Sequence, residues 1–159
     1  MSGRGKARVS SLEISTMLYP TEDPSKVLLA LKSLSESEVK ESKYTSHYGY
    51  SFKVLTIIVR KSKQASEELS KMLSSMDDYD FSRLIEDLES HLDGRTLFIR
   101  IDKQEAYLGR IRLFENDPGG YIRIKASFST SRLKEIRNLL KEMRVAVSRS
   151  SDDLESKAK

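Results

Sequence analysis

The sequence predicts an α+β sandwich: a mostly antiparallel sheet, with a mixed arrangement left open, carrying helices on one face. Three observations predict it. Short apolar or alternating runs recur as strands at 9–19, 51–61, 95–101, 105–114 and 121–128. Apolar stripes at three- and four-residue spacing mark helices at 22–34, 63–76, 81–92 and 131–143. The resulting order, β-α-β(β)-α-α-β-β-β-α, suits a sheet whose helices gather on one side.

Each element has a local reason. Residues 1–8 hold Arg4, Lys6 and Arg8 without an acid and read as a flexible basic tail. "VSSLEISTMLY" (9–19) is the first strand. In "PTEDPSKVLLALKSL", Thr21 or Asp23 can cap a helix and Pro24 suits its first turn. Val27, Ala30, Leu31 and Leu34 form that helix's buried stripe. Residues 35–46 are polar, with a short strand near Lys43–Thr45. "SFKVLTIIVRK" is almost continuously apolar, as a central strand requires.

Ala65, Leu69, Met72, Leu73 and Met76 mark the next helix. Asp80 is a natural N-cap for the one after it, whose stripe is Phe81, Leu84, Ile85, Leu88 and Leu92, with Gly94 at its end. "ENDPGG" joins the last two strands through turn residues. The final helix buries Leu133, Ile136, Leu139, Leu140 and Met143. One domain therefore spans 9–147, and the polar stretch 148–159 reads as a flexible tail.

Composition excludes several classes of function. There is no cysteine, so disulfides, thiolate metal sites and cysteine nucleophiles are out. No apolar run approaches ~18 residues, and the N-terminus lacks the hydrophobic segment of a secretory signal. A soluble, cytoplasmic protein with no membrane partner is expected. The net charge is +4, but residues 9–94 hold 10 bases against 15 acids and residues 95–149 hold 13 bases against 6 acids. Such asymmetry steers a polyanion to one side of a molecule.

Side chains alternate across a strand, so parity assigns the faces. Leu97, Ile99, Ile101, Ile111, Ile122 and Ile124 fall on the core side. The other side carries Arg100, Arg110, Arg112, Arg123 and Lys125, with Phe98 and Tyr121 among them. Guanidinium groups fork onto phosphates and aromatic rings stack on unpaired bases, which makes this an RNA-binding pattern. Ordinary solvation of a sheet face explains the same residues. The last helix adds a second basic patch from Lys134, Arg137, Lys141 and Arg144.

No catalytic motif stands out, and no cofactor or metal is implied. His91 sits in the last turn of a helix, where its role is structural. His47, beside Tyr48 and Gly49 in a loop, can stack, hydrogen-bond or act as a base.

Three stretches carry a resemblance: "TEDPSKV" (21–27), "HYGY" (47–50) and "DKQEAYLG" (102–109). Their order and spacing resemble an archaeal family of small proteins described as RNA-binding and as predicted exosome subunits. The likeness covers about residues 9–129, and the family's equivalents resemble T-E-D-x-x-K-V, H-Y-G-N-P and D-K-Q-A-A-Y-L-G. Tyr50 and Ser51 stand where that family tends to have Asn-Pro. The resemblance implies a fold similar to the large-subunit ribosomal protein that holds 5S ribosomal RNA. It implies RNA as the ligand, whether single-stranded or structured, and proteins of an RNA-processing complex as partners.

"DKQEAYLG" itself reads as a joint between two strands. Asp102, Lys103 and Gln104 form the turn, Tyr107 anchors inward, and Gly109 permits close backbone approach or a bulge. Lys103 and Gln104 would then edge the basic face near His47 and Tyr48. The leading expectation is a non-catalytic RNA-binding protein working beside RNA-processing machinery. A protein–protein adaptor is the first alternative. A small RNA-cleaving or RNA-modifying enzyme is the second, with His47 as general base near Asp102 or Glu105.

Overall fold

The computed structural model describes the backbone of residues 7–115 and 120–158, and side chains as far as Val145 in the last helix. Most of the basic N-terminal segment and the centre of "ENDPGG" lie outside the described residues. The strands are β1 (Val9–Leu18), β2 (Lys40–Thr45), β3 (Ser51–Val59), β4 (Leu92–Asp93), β5 (Thr96–Asp102) and β6 (Tyr121–Phe128). The helices are α1 (Pro24–Leu34), α2 (Ser62–Ser75), α3 (Asp78–Glu86), α4 (Leu88–His91), α5 (Lys103–Tyr107) and α6 (Leu133–Ala158). The fold is α+β, with one sheet in the order β2-β3-β1-β6-β5-β4 and every strand pair antiparallel.

Burial follows strand parity. Leu12, Ile14, Leu55, Ile57, Leu97, Ile99, Ile101, Ile122 and Ile124 are buried with the stripes of α1, α2 and α6. Apart from Asp102 at the end of β5, their neighbours along each strand stay at least partly exposed. The apolar run in β3 is explained by its place between β2 and β1, hydrogen-bonded on both sides. β2, exposed at every residue, is the edge that carries no apolar signal. It also starts earlier than the sequence suggests, at Lys40.

Helix starts follow side-chain chemistry. Asp23 accepts a bond from the Ser25 amide at 2.9 Å, with Pro24 next to it in the first turn. Asp77, not Asp80, caps α3, accepting from the Asp80 amide at 2.8 Å. The span 81–92 is two helices, α3 and α4, because the chain breaks at Asp87. At the far end α6 continues to Ala158, past the last apolar residue of its stripe, Met143.

The main correction concerns 105–114, where no strand forms. Asp102 accepts from the Glu105 amide at 2.9 Å and starts the short helix α5. Gly109, at φ +84°, then turns the chain back. A Cβ there would meet nothing within 4 Å, so the position requires the left-handed backbone, not a close approach. Residues 110–115 run as a strap beside the end of β5. The Asp102 amide donates to the Arg112 carbonyl at 2.8 Å and the Phe114 amide to the Arg100 carbonyl at 2.9 Å. The strap contributes Ile111 to the core, although not from a strand.

Asp80, 2% exposed, clamps this strap. Its Oδ2 accepts from the Leu113 amide and from Arg112 Nε, both at 3.0 Å. The Arg112 pKa is accordingly raised, by that hydrogen bond first and the Asp80 charge second. A bond from an amide to a carboxylate contributes roughly 1.5–3 kcal/mol. Asp80→Ala should therefore speed hydrogen exchange at the Leu113 amide about tenfold or more, while Ile14 and Ile57 exchange as before. An unchanged Leu113 rate would mean that Asp80 does not hold the strap.

Candidate nucleic-acid interface

The sheet face away from the helices is built from alternate residues of five strands. On β6 and β5 it carries Tyr121, Arg123, Lys125, Phe98 and Arg100. Phe98 lies opposite Lys125, and Arg100 lies opposite Arg123. Like charges facing each other across neighbouring strands are destabilising. Here each guanidinium swings away along the diagonal onto a ring. Arg100 lies 4.8 Å from the Tyr121 ring centre and Arg123 lies 5.1 Å from that of Phe98. Phe114, from the strap, packs 5.1 Å from Tyr121.

Arg100, Arg123 and Lys125 form no ion pair among the described residues. Glu13 of β1 faces Lys125 in the register without bonding to it. The face thus holds free cations in a fixed array, braced by aromatic rings. A groove of about 900 Å³ adjoins it beside β5, lined by Phe98, Arg100 and Phe114 and also by the acids Glu86, Asp87 and Asp93.

Other expected members are elsewhere. Arg112, on the strap, is held by Asp80 and, at 3.5 Å, by Asp77. Arg110 is exposed beyond α5, 3.5 Å from Glu105. Within the basic patch of α6, Arg144 is internal: it donates to the Leu73 and Met76 carbonyls and to Asp78. His47 and Tyr48 occupy the exposed β2–β3 turn, their rings packed edge-on at 5.9 Å. His47 has no hydrogen-bond or ion-pair partner among the described residues. Among those residues, no three His, Asp or Glu side chains gather to hold a metal ion.

Lys103 departs furthest from expectation. It is 5% exposed, not an edge residue. Its ammonium donates to the Met17 carbonyl at 2.7 Å and to both Glu22 oxygens at 3.1 and 3.0 Å. Glu22 also accepts from the Tyr19 amide at 3.0 Å. Lys26 reaches over the half-buried Tyr107 ring at 5.3 Å. "TEDPSKV" and "DKQEAYLG" are therefore two halves of one lock between α1, α5 and the end of β1.

The sequence reading missed a row of rings on the same open face. Tyr44 and Phe52 pair across β2 and β3, with ring centres 5.7 Å apart, and Tyr19 lies 6.3 Å from Phe52. Parity within 51–61 would have put Phe52 on the open face. Its meeting with Tyr19 and Tyr44 depends on the strand order.

Comparison with known proteins places this architecture. Residues 11–128 match a family model described as RNA binding. RNA-binding protein PAB1135 of Pyrococcus abyssi is 30% identical over 129 residues, spanning 76% of this chain and 84% of that protein. The crystal structure of protein AF2318 from Archaeglobus fulgidus superposes with a TM-score of 0.72 at 28% identity, covering 86% of this chain and 99% of that one. Protein SSO0741 from Sulfolobus solfataricus shares the fold, with a TM-score of 0.70 at 24% identity over 86% of this chain and 98% of its own. No helix among the described residues is long and apolar enough to cross a membrane. With the family model matched from the first strand to the end of β6, the chain belongs to the RNA-binding family.

Proposed function

We propose that the protein binds RNA, without chemistry of its own, through the open face of its sheet. The observation that carries this reading is the opposed pair Arg100 and Arg123, without an ion pair among the described residues and braced on Tyr121 and Phe98. A like-charge pair costs stability unless an anion bridges it. A phosphodiester is such an anion, and guanidinium groups match it in a forked geometry. Lys125 adds a third contact on the same surface.

The bracing changes what the rings are for. Phe98 and Tyr121 lie under guanidinium groups, so they hold cations and are not free to stack on bases. Phe98→Leu should weaken RNA binding by about 0.5–1 kcal/mol, the size of a cation–π contact. A directly stacked base would cost ~1–3 kcal/mol instead. Fluorescence anisotropy with a labelled RNA distinguishes the two, and a loss in the larger range would show that Phe98 meets the base itself. The finer part of the proposal, work beside RNA-processing machinery such as the exosome, rests on the motif resemblance. Its test is co-purification of processing proteins before and after nuclease treatment.

A further inference from the structure

We infer that the row Tyr44–Phe52–Tyr19 is a seat for unpaired nucleobases, so that the RNA crossing this sheet is single-stranded. The inference rests on the RNA reading above and adds the ligand class and the residues that select it. β2 and β3 contribute Tyr44 and Phe52, and Tyr19, just past the end of β1, adds a third ring at the same end of the open face. Tyr44 is 51% exposed and Tyr19 46%, a large apolar display beside the sheet's edge strand. Exposed rings on an edge invite association unless they serve a ligand.

Tyr44 and Phe52 are inclined by only 20°, and among the described residues no cation lies over either ring, whereas the Lys103 ammonium lies 5.9 Å from the centre of the Tyr19 ring. Phe98 and Tyr121 are both covered. A hollow of about 520 Å³ opens at this end of the sheet, lined by Tyr19, Tyr44, Phe52 and Glu22 and, from the opposite face of β2 and β3, by Lys43 and Lys53. Lys53 is paired with Glu41 at 2.5 Å, whereas Lys43 forms no ion pair among the described residues.

Register ties the rings to the cations. Arg123 lies opposite Ser15, Ser15 opposite Thr56, and Thr56 opposite Lys40. Arg100 extends that cross-strand line at one end. Tyr44 and Phe52 lie four residues along their strands from Lys40 and Thr56, roughly 13 Å at the rise of an antiparallel strand. From β5 to β2 the line crosses four inter-strand gaps, roughly 19 Å. A chain running across the strands can therefore hold phosphates on Arg100 and Arg123 and lay bases on the rings further along. Duplex RNA keeps its bases stacked internally and offers the rings nothing.

The test uses the intact chain with a short oligouridylate and a blunt RNA duplex of equal length. The expected result is tighter binding of the single strand by about tenfold or more. Tyr44→Leu should lower single-strand affinity about tenfold and leave its salt dependence unchanged, because a stacked base carries no charge. Tyr44→Phe keeps the ring and should bind as the native chain does. Tyr44 is exposed on an edge strand, so both variants keep the fold, which a thermal melt verifies. If Tyr44→Leu binds like the native chain, or the duplex binds as tightly as the single strand, while Arg123→Ala weakens both, this inference is overturned and the RNA reading stands. If Arg123→Ala also leaves binding unchanged, or no RNA binds, the RNA reading itself falls and the inference with it.

Discussion

Glu22→Gln should destabilise the protein by about 3 kcal/mol, because it leaves the Lys103 ammonium buried without its counter-charge. The two side chains are 6% and 20% exposed, so water reaches the carboxylate slightly and the ammonium hardly at all. The Met17 carbonyl, which also accepts from Lys103, cannot replace a full negative charge. Lys103→Met should cost less, since the partly exposed carboxylate can turn to solvent. Combining the two substitutions should recover part of the loss seen in Glu22→Gln alone, the sign expected when an orphaned buried charge is removed. Urea denaturation of the four proteins measures this coupling. Strictly additive losses would mean that Glu22 and Lys103 do not act as a pair.

The second large effect is on binding. Arg100→Ala combined with Arg123→Ala should lower RNA affinity about a hundredfold or more at low salt, from roughly 1.5–3 kcal/mol for each charge-assisted contact. The loss should be equal for unrelated RNA sequences, because phosphate contacts carry no sequence information. Both side chains are exposed, and removing them relieves a like-charge pair, so stability should hold or rise slightly. A loss confined to one RNA sequence would indicate that these arginines read bases.

Much of this was legible from residue patterns. β1, β3, β5 and β6 show the periodicity of half-buried strands, and parity alone put Arg100, Arg123 and Lys125 on the open face. What failed did so for identifiable reasons. Tyr107, Ile111 and Leu113 mimic strand alternation, which hid the Asp102-to-Glu105 spacing that starts a helix. Lys103 and Glu22 are separated by 81 residues, so no local pattern could reveal that the lysine is buried. The pairing of arginines with rings is diagonal between β5 and β6 and requires the register. The Tyr44–Phe52–Tyr19 row requires the strand order as well, and β2 announces itself weakly because none of its residues is buried.

The most direct test of the central claim is the salt dependence of binding to a single-stranded RNA. Each neutralised phosphate releases condensed counterions, so Arg100, Arg123 and Lys125 together predict a log–log slope of about −2, from roughly −0.7 per contact. With Arg100 and Arg123 both replaced by alanine, only Lys125 remains and the slope should flatten to about −0.7. Lys134→Ala with Lys141→Ala, on exposed positions of α6, should leave the slope as in the native chain. A slope untouched by the sheet substitutions but flattened by those in α6 would contradict the account and move the RNA to the helix.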